Sequence, residues 1–126
     1  ANDIHNYYSW TTSQDTPQDY DIYIRWRVPD NFSAWAASNP IQVYGKRTDE
    51  TNNAINVYVY DTSGTLENAG GTQIAGTSWT QTSVEADFEG TYTPGSYMTI
   101  RTTLTADGTG DSVQLGEISL DYLSDN

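Results

Sequence analysis

The sequence predicts an all-β protein, an antiparallel β-sandwich of seven or eight strands with jelly-roll or Greek-key connections. Apolar and polar residues alternate with a period of two along most of the chain, Gly, Pro, Asn and Asp interrupt that alternation at regular spacing, and helical periodicity is almost absent. With 126 residues the chain reads as a single domain, 1–126, able to bury roughly two-thirds of its unfolded surface. There is no cysteine, so disulfides and thiolate metal sites are excluded, and stability has to come from side-chain packing, β-pairing or assembly.

The first strand is expected from Asn6 to Thr12, with Tyr8 and Trp10 on one face, followed by the polar loop Ser13-Gln14-Asp15-Thr16-Pro17-Gln18. Tyr20 to Val28 carries the clearest alternation, with Ile22, Ile24, Trp26 and Val28 pointing one way, and Pro29 stops it because proline cannot donate to a ladder. Phe32 to Asn39 suits a short helical turn or crossover, its Phe32 and Trp35 packed as a lid. Ile41 to Thr48 and Ala54 to Tyr60 follow as strands that bury Ile41, Val43, Ile55, Val57 and Val59, joined through Asp and Asn residues that bond their own backbone in turns. From Asp61 to Gly76 the chain is glycine-rich, a long loop or irregular edge around Leu66 and Ile74. Trp79 to Phe88 is a further strand, and Gly90 to Gly95 a turn. Tyr97 to Ala106 and Ser112 to Leu123 flank Asp107-Gly108-Thr109-Gly110-Asp111, which suits a hairpin. Val113 and Leu115 share one phase while Ile118, Leu120 and Tyr122 share the other, so a β-bulge is expected at Gly116-Glu117.

Seventeen acidic side chains against five basic ones give a formal charge of −12, which repels nucleic acid and anionic membrane surfaces alike. No run of about 18 apolar residues is present, so no helical membrane insertion is expected. An acidic, Lys-poor chain rich in Thr, Ser, Asn and Gly, beginning at Ala1 rather than Met, fits a mature secreted protein at an extracellular, cell-surface or virion location.

Few constellations for catalysis can be assembled. His5 is the single histidine, which makes both a Ser-His-Asp set and a zinc site improbable. Glu85 with Asp87, and Glu117 with Asp121, share strand faces, but solvated acids on an outer surface explain them more simply than a glycosidase pair. No enzyme is expected. Calcium is the ion the composition admits, with oxygen ligands from Asp15, Asp19, Asp21, Asp107 and Asp111, although aspartate is also a common turn residue and no EF-hand spacing occurs.

The cations are the most informative group. Arg25 and Arg27 share a side with Tyr23, Lys46 with Tyr44, and Arg101 with Tyr97 and Thr99, while Tyr58 and Tyr60 also fall opposite the apolar phase of their strand. Only Arg47 falls out of this pattern. Tyr23, Arg25, Arg27, Tyr44, Lys46, Tyr58, Tyr60 and Arg101 are therefore expected to form one outward platform on an otherwise acidic molecule. Tyr, Trp and Arg are enriched at protein interfaces, and flat aromatic rings also stack on sugars. Cross-strand Tyr and Arg pairs that only stabilise an outer face are the plainer alternative.

Asp19 to Pro29, together with Tyr97-Met98-Thr99-Ile100 and Gly116-Glu117-Ile118-Ser119-Leu120, resembles β-sandwich modules of bacterial surface and phage tail-type structural proteins, and more distantly the jelly rolls of carbohydrate-binding modules. The resemblance implies a secreted or virion-like structural role, with glycan adhesion as a side function. The expected function is thus a non-enzymatic extracellular structural subunit, a homo-oligomer or polymer building a filament, tube or shell. A cationic patch docking head-to-tail on the acidic remainder of a like subunit would propagate such an assembly, and residues 1–12 are expected as an exchanged or edge-adding strand. A carbohydrate-binding module or adhesin with a glycan partner is the alternative.

Overall fold

The computed structural model describes residues 8–11, 18–36, 39–48, 53–74, 76–86, 88–106 and 112–124, and among them are ten strands and no helix. The strands are β1 (Tyr8–Thr11), β2 (Gln18–Arg27), β3 (Phe32–Trp35), β4 (Ile41–Arg47), β5 (Ala54–Tyr60), β6 (Thr72–Gln73), β7 (Thr80–Ser83), β8 (Tyr97–Ala106), β9 (Ser112–Leu120) and β10 (Tyr122–Ser124). Two four-stranded antiparallel sheets, ordered β1-β9-β4-β7 and β2-β8-β5-β6, pack against each other, and β10-β3 forms a separate two-stranded ribbon.

Between the two sheets lies a largely apolar core. β4 contributes Ile41 and Val43, β5 contributes Ile55, Val57 and Val59, β8 contributes Met98, Ile100 and Leu104, and β9 contributes Val113 and Leu115, all buried. The period-two pattern places these side chains because alternate residues of a strand face opposite sides of its sheet. At one end of the core, Trp26, Phe32, Trp35, Phe88, Tyr92 and Tyr122 stack and cross in an aromatic cluster with ring centroids 5.3–6.4 Å apart. Phe32 and Trp35 thus do pack together, at 5.3 Å edge to face.

Several expectations are corrected. The described residues already hold ten strands rather than seven or eight. Phe32–Trp35 is a strand instead of a helical turn, because its backbone pairs with Tyr122–Ser124 and its rings join the aromatic cluster. The stretch expected as one strand from Ser112 to Leu123 divides at Asp121, whose N–H turns aside to the Pro40 carbonyl at 2.7 Å. β8 and β9 do not pair as a hairpin, since they belong to different sheets. The expected bulge is present: Val43 faces Ile118 but Gly45 faces Leu115, so Gly116 and Glu117 together oppose Tyr44.

Arg47, the cation outside the tyrosine pattern, lies on the inner face of β4. It is 5% exposed, and its Nη1 donates to the Asn53 carbonyl at 2.7 Å.

Candidate functional site

β2, β8 and β5 place their outward side chains on one surface. The registers set Tyr23 beside Arg101, Arg25 beside Thr99 and Arg27 beside Tyr97 on one side of β8, and Tyr58 beside Arg101 and Tyr60 beside Thr99 on the other. Arg25 lies 4.8 Å over the Tyr97 ring, and Arg101 lies 4.3 Å from the Tyr58 centroid and 5.8 Å from that of Tyr60. Such cation–π contacts flatten the guanidinium groups onto the sheet. Burial disfavours the Arg101 charge, but Tyr60, a hydrogen bond to Tyr23 and the Asp21 carboxylate outweigh it and hold the pKa above its ordinary value.

Six of the eight expected platform residues therefore come together: Tyr23, Arg25, Arg27, Tyr58, Tyr60 and Arg101. Tyr44 and Lys46 do not join them, because β4 belongs to the other sheet. There Lys46 sits 5.6 Å over Trp79, and Gly116 of the bulge leaves room for Trp79 and Tyr44, where an added Cβ would approach Trp79 to 3.0 Å. Alternation tells which side of a strand is outward but not which sheet the strand has joined, and the single platform splits into two for that reason.

The face is not a net cationic patch. Asp19 and Asp21 project from β2 beside the arginines, each accepting a hydrogen bond from the hydroxyl of its cross-strand threonine, Thr105 at 2.7 Å and Thr103 at 2.6 Å. Arg27 pairs with Asp30 at 3.0 Å. Arg25, Arg27 and Arg101 are thus met on the same face by Asp19, Asp21 and Asp30.

A groove of about 610 Å³ runs along this surface between Tyr23, Arg25, Tyr97 and Thr99 on one wall and Tyr60 with the turn 61–64 on the other. Tyr23 is 62% exposed and Tyr97 49%. The Tyr58 ring, by contrast, is covered by Arg101 and abuts Gly71, where an added Cβ would come within 2.8 Å of it. Tyr97 and the 61–64 turn were absent from the expected platform. Tyr97 shows the same signal as the others, a tyrosine opposite the apolar phase.

Asp61 fixes the groove's far wall. Its Oδ1 accepts from the Ser63 N–H (2.9 Å), the Ser63 hydroxyl (2.7 Å) and the Thr65 N–H (3.0 Å), and its Oδ2 accepts from the Thr91 N–H (3.0 Å). Burial works to raise its pKa, but these hydrogen bonds stabilise the carboxylate and hold it well below the usual range. Asn68 plays a similar bracing part, its amide accepting from the Val59 N–H and donating to the Val57 carbonyl, both at 2.8 Å, as a neighbouring strand would.

Among the described residues, no group of three His, Cys, Asp or Glu side chains is placed to hold a metal ion. Of the calcium candidates, Asp19 and Asp21 stand on the outer face of β2, while Asp15, Asp107 and Asp111 lie outside the described residues, as do His5 and Asp87. Glu85, Glu117 and Asp121 are exposed. Of residues 1–12, Tyr8–Thr11 runs antiparallel beside β9 of its own chain, and residues 1–7 and 12 lie outside the described set. No helix among the described residues is long and apolar enough to cross a membrane.

No family model, no curated protein and no solved structure matches the chain.

Proposed function

We propose that this chain is a non-enzymatic structural subunit, extracellular or virion-borne, that self-assembles through the outer face of the β2-β8-β5 sheet and its open edge. The observation that carries the reading is β2. It is ten residues long and, among the described strands, pairs with β8 alone, so beyond Gln18, whose carbonyl accepts from the Trp10 indole at 2.9 Å, its other side faces no strand. Edges of this length and exposure invite another strand unless they are twisted away or covered. Exposed Tyr20, Tyr23 and Tyr97 border it. The strand order β1-β9-β4-β7 over β2-β8-β5-β6, in which the chain repeatedly crosses between sheets, supports a jelly-roll winding, an architecture common in shells and surface modules. The resemblance to bacterial surface and phage tail-type modules points the same way.

Light scattering and negative-stain electron microscopy test the proposal. Particles heavier than the 14.0 kDa chain are expected, and a monomer at every concentration would sink it. One observation favours a second reading: the groove between Tyr23, Tyr97 and Tyr60 offers stacking surfaces and the Arg25 guanidinium to a sugar chain. A glycan array separates the two, and binding lost in Tyr97→Ala would establish the adhesin reading.

A further inference from the structure

We infer that β2 pairs antiparallel with β2 of a second copy, in the register that sets Tyr23 opposite the partner's Tyr23, joining two four-stranded sheets across a two-fold axis. The inference rests on the assembly reading and specifies its contact.

β2 is self-complementary about Tyr23. In an antiparallel pair, residues equally far from the centre stand opposite each other on one face. Outward along β2 run Asp19, Asp21, Tyr23, Arg25 and Arg27, all exposed. In this register Asp19 meets the partner's Arg27 and Asp21 meets the partner's Arg25, so two acid–base pairs form on each side of the axis. Inward, Ile22 meets the partner's Ile24 and Tyr20 meets the partner's Trp26. Other registers are poorer. Centring on Asp21 or on Arg25 sets like charges face to face, centring on Ile22 or Ile24 keeps half of the ion pairs, and a parallel pair would put each aspartate beside its own copy. The charge balance of the face, three arginines against Asp19, Asp21 and Asp30, also fits a contact between identical surfaces better than a cationic patch on a distant acidic one.

The strand is prepared for that neighbour. Thr105 and Thr103 hold Oδ1 of Asp19 and Asp21, and among the described residues neither carboxylate is within salt-bridge distance of a cation. Arg25 has no carboxylate partner among the described residues either; its guanidinium rests on Tyr97. Ile22, Ile24 and Trp26, although inward, are only half-buried, and Tyr20 is 51% exposed. A second β2 would cover the side of these residues that β8 does not.

Charge reversal tests the register. D19K/D21K makes the outward row wholly positive and R25E/R27E makes it wholly negative, so each variant should dissociate at concentrations where the wild type is paired, with affinity weakened roughly tenfold or more. Mixed in equal amounts the two should form a heterodimer, and the quadruple variant D19K/D21K/R25E/R27E should again pair with itself. Because the wild type has no cysteine, Y23C provides a separate check: cross-strand Cβ atoms ~4.5–5.5 Å apart should let it oxidise to a covalent dimer. An assembled wild type indifferent to both reversals, or variants that fail to associate on mixing while Y23C stays uncrosslinked, would overturn this register and leave the assembly reading standing. A monomeric wild type, its edge solvated or covered by its own first residues, would overturn both.

Discussion

β2 and β8 are both ten residues long, lie side by side and alternate in step, yet they live in different surroundings. β8 has a strand on each side, and its inward Met98, Ile100, Thr102, Leu104 and Ala106 are all buried. Among the described strands β2 has a neighbour on one side only, and its inward Ile22, Ile24 and Trp26 are half-open. Outward the contrast repeats: Thr99, Arg101, Thr103 and Thr105 are partly covered, whereas Asp19, Asp21, Tyr23, Arg25 and Arg27 are exposed. The number of neighbouring strands, and not residue type, sets burial here, so chemically equal substitutions in the two strands should have unequal costs.

The largest difference is expected from Ile100→Ala against Ile24→Ala. The first empties a sealed site and should destabilise by about 2–5 kcal/mol, the second by about half as much, as read by urea denaturation. Equal costs would break the comparison and mean that β2 is covered in solution. Next is Asp61→Asn, at the end of β5 across the groove from β2, which removes the charge and the acceptor for the Thr91 N–H and should cost about 1–3 kcal/mol. Its pH dependence has a definite sign. The folded-state pKa lies below the ordinary 3.8, so the stabilisation is fully present above that value and is lost as pH falls further. The gap in melting temperature between wild type and Asp61→Asn should therefore narrow below about pH 4; a constant gap would mean that the charge is not what is stabilised.

A smaller effect of opposite sign is expected in β8. Thr102 is fully buried, and its hydroxyl has no hydrogen-bond partner among the described residues, so Thr102→Val should leave stability unchanged or raise it by about 1 kcal/mol. Destabilisation in calorimetry would show that the hydroxyl is satisfied by a buried water. Smallest is Arg25→Gln, which removes the contact over Tyr97 and should cost no more than about 1 kcal/mol in the monomer. A larger loss that depends on protein concentration would locate the effect between copies rather than within one.

Much of the fold was legible because period-two alternation is a direct consequence of strand geometry. It anticipated the inward faces of β4 and β5 and the outward Tyr97, Thr99 and Arg101 of β8, and the change of phase at Gly116-Glu117 marked the bulge that the structure sets opposite Tyr44. Strand partnership was not legible. Pairing depends on long-range register, so Asp107 to Asp111 looked like a hairpin turn although β8 and β9 enter different sheets. Phe32–Trp35 was misread because a spacing of three suits a helix as well as a short strand whose rings join one cluster. Of the candidate site, the Tyr23, Arg25, Arg27 and Arg101 grouping followed from alternation, but Tyr44 and Lys46 could not be assigned to the opposite sheet without the topology. In the sequence the aspartates of β2 suit turn chemistry as well as calcium, and their symmetry with Arg25 and Arg27 about Tyr23 gains meaning only with β2 at an edge.

That placement has a consequence in time as well as in space. Asp21 and its hydrogen-bonded partner Thr103 are 82 residues apart in the chain, so a ribosome working at about 5–20 residues per second releases β2 roughly 4–16 s before β8 exists to receive it. During that interval the strand has two unsatisfied edges and a sequence that matches its own reverse. On the pairing inferred above, two nascent chains on one message would be each other's nearest template before the sandwich closes.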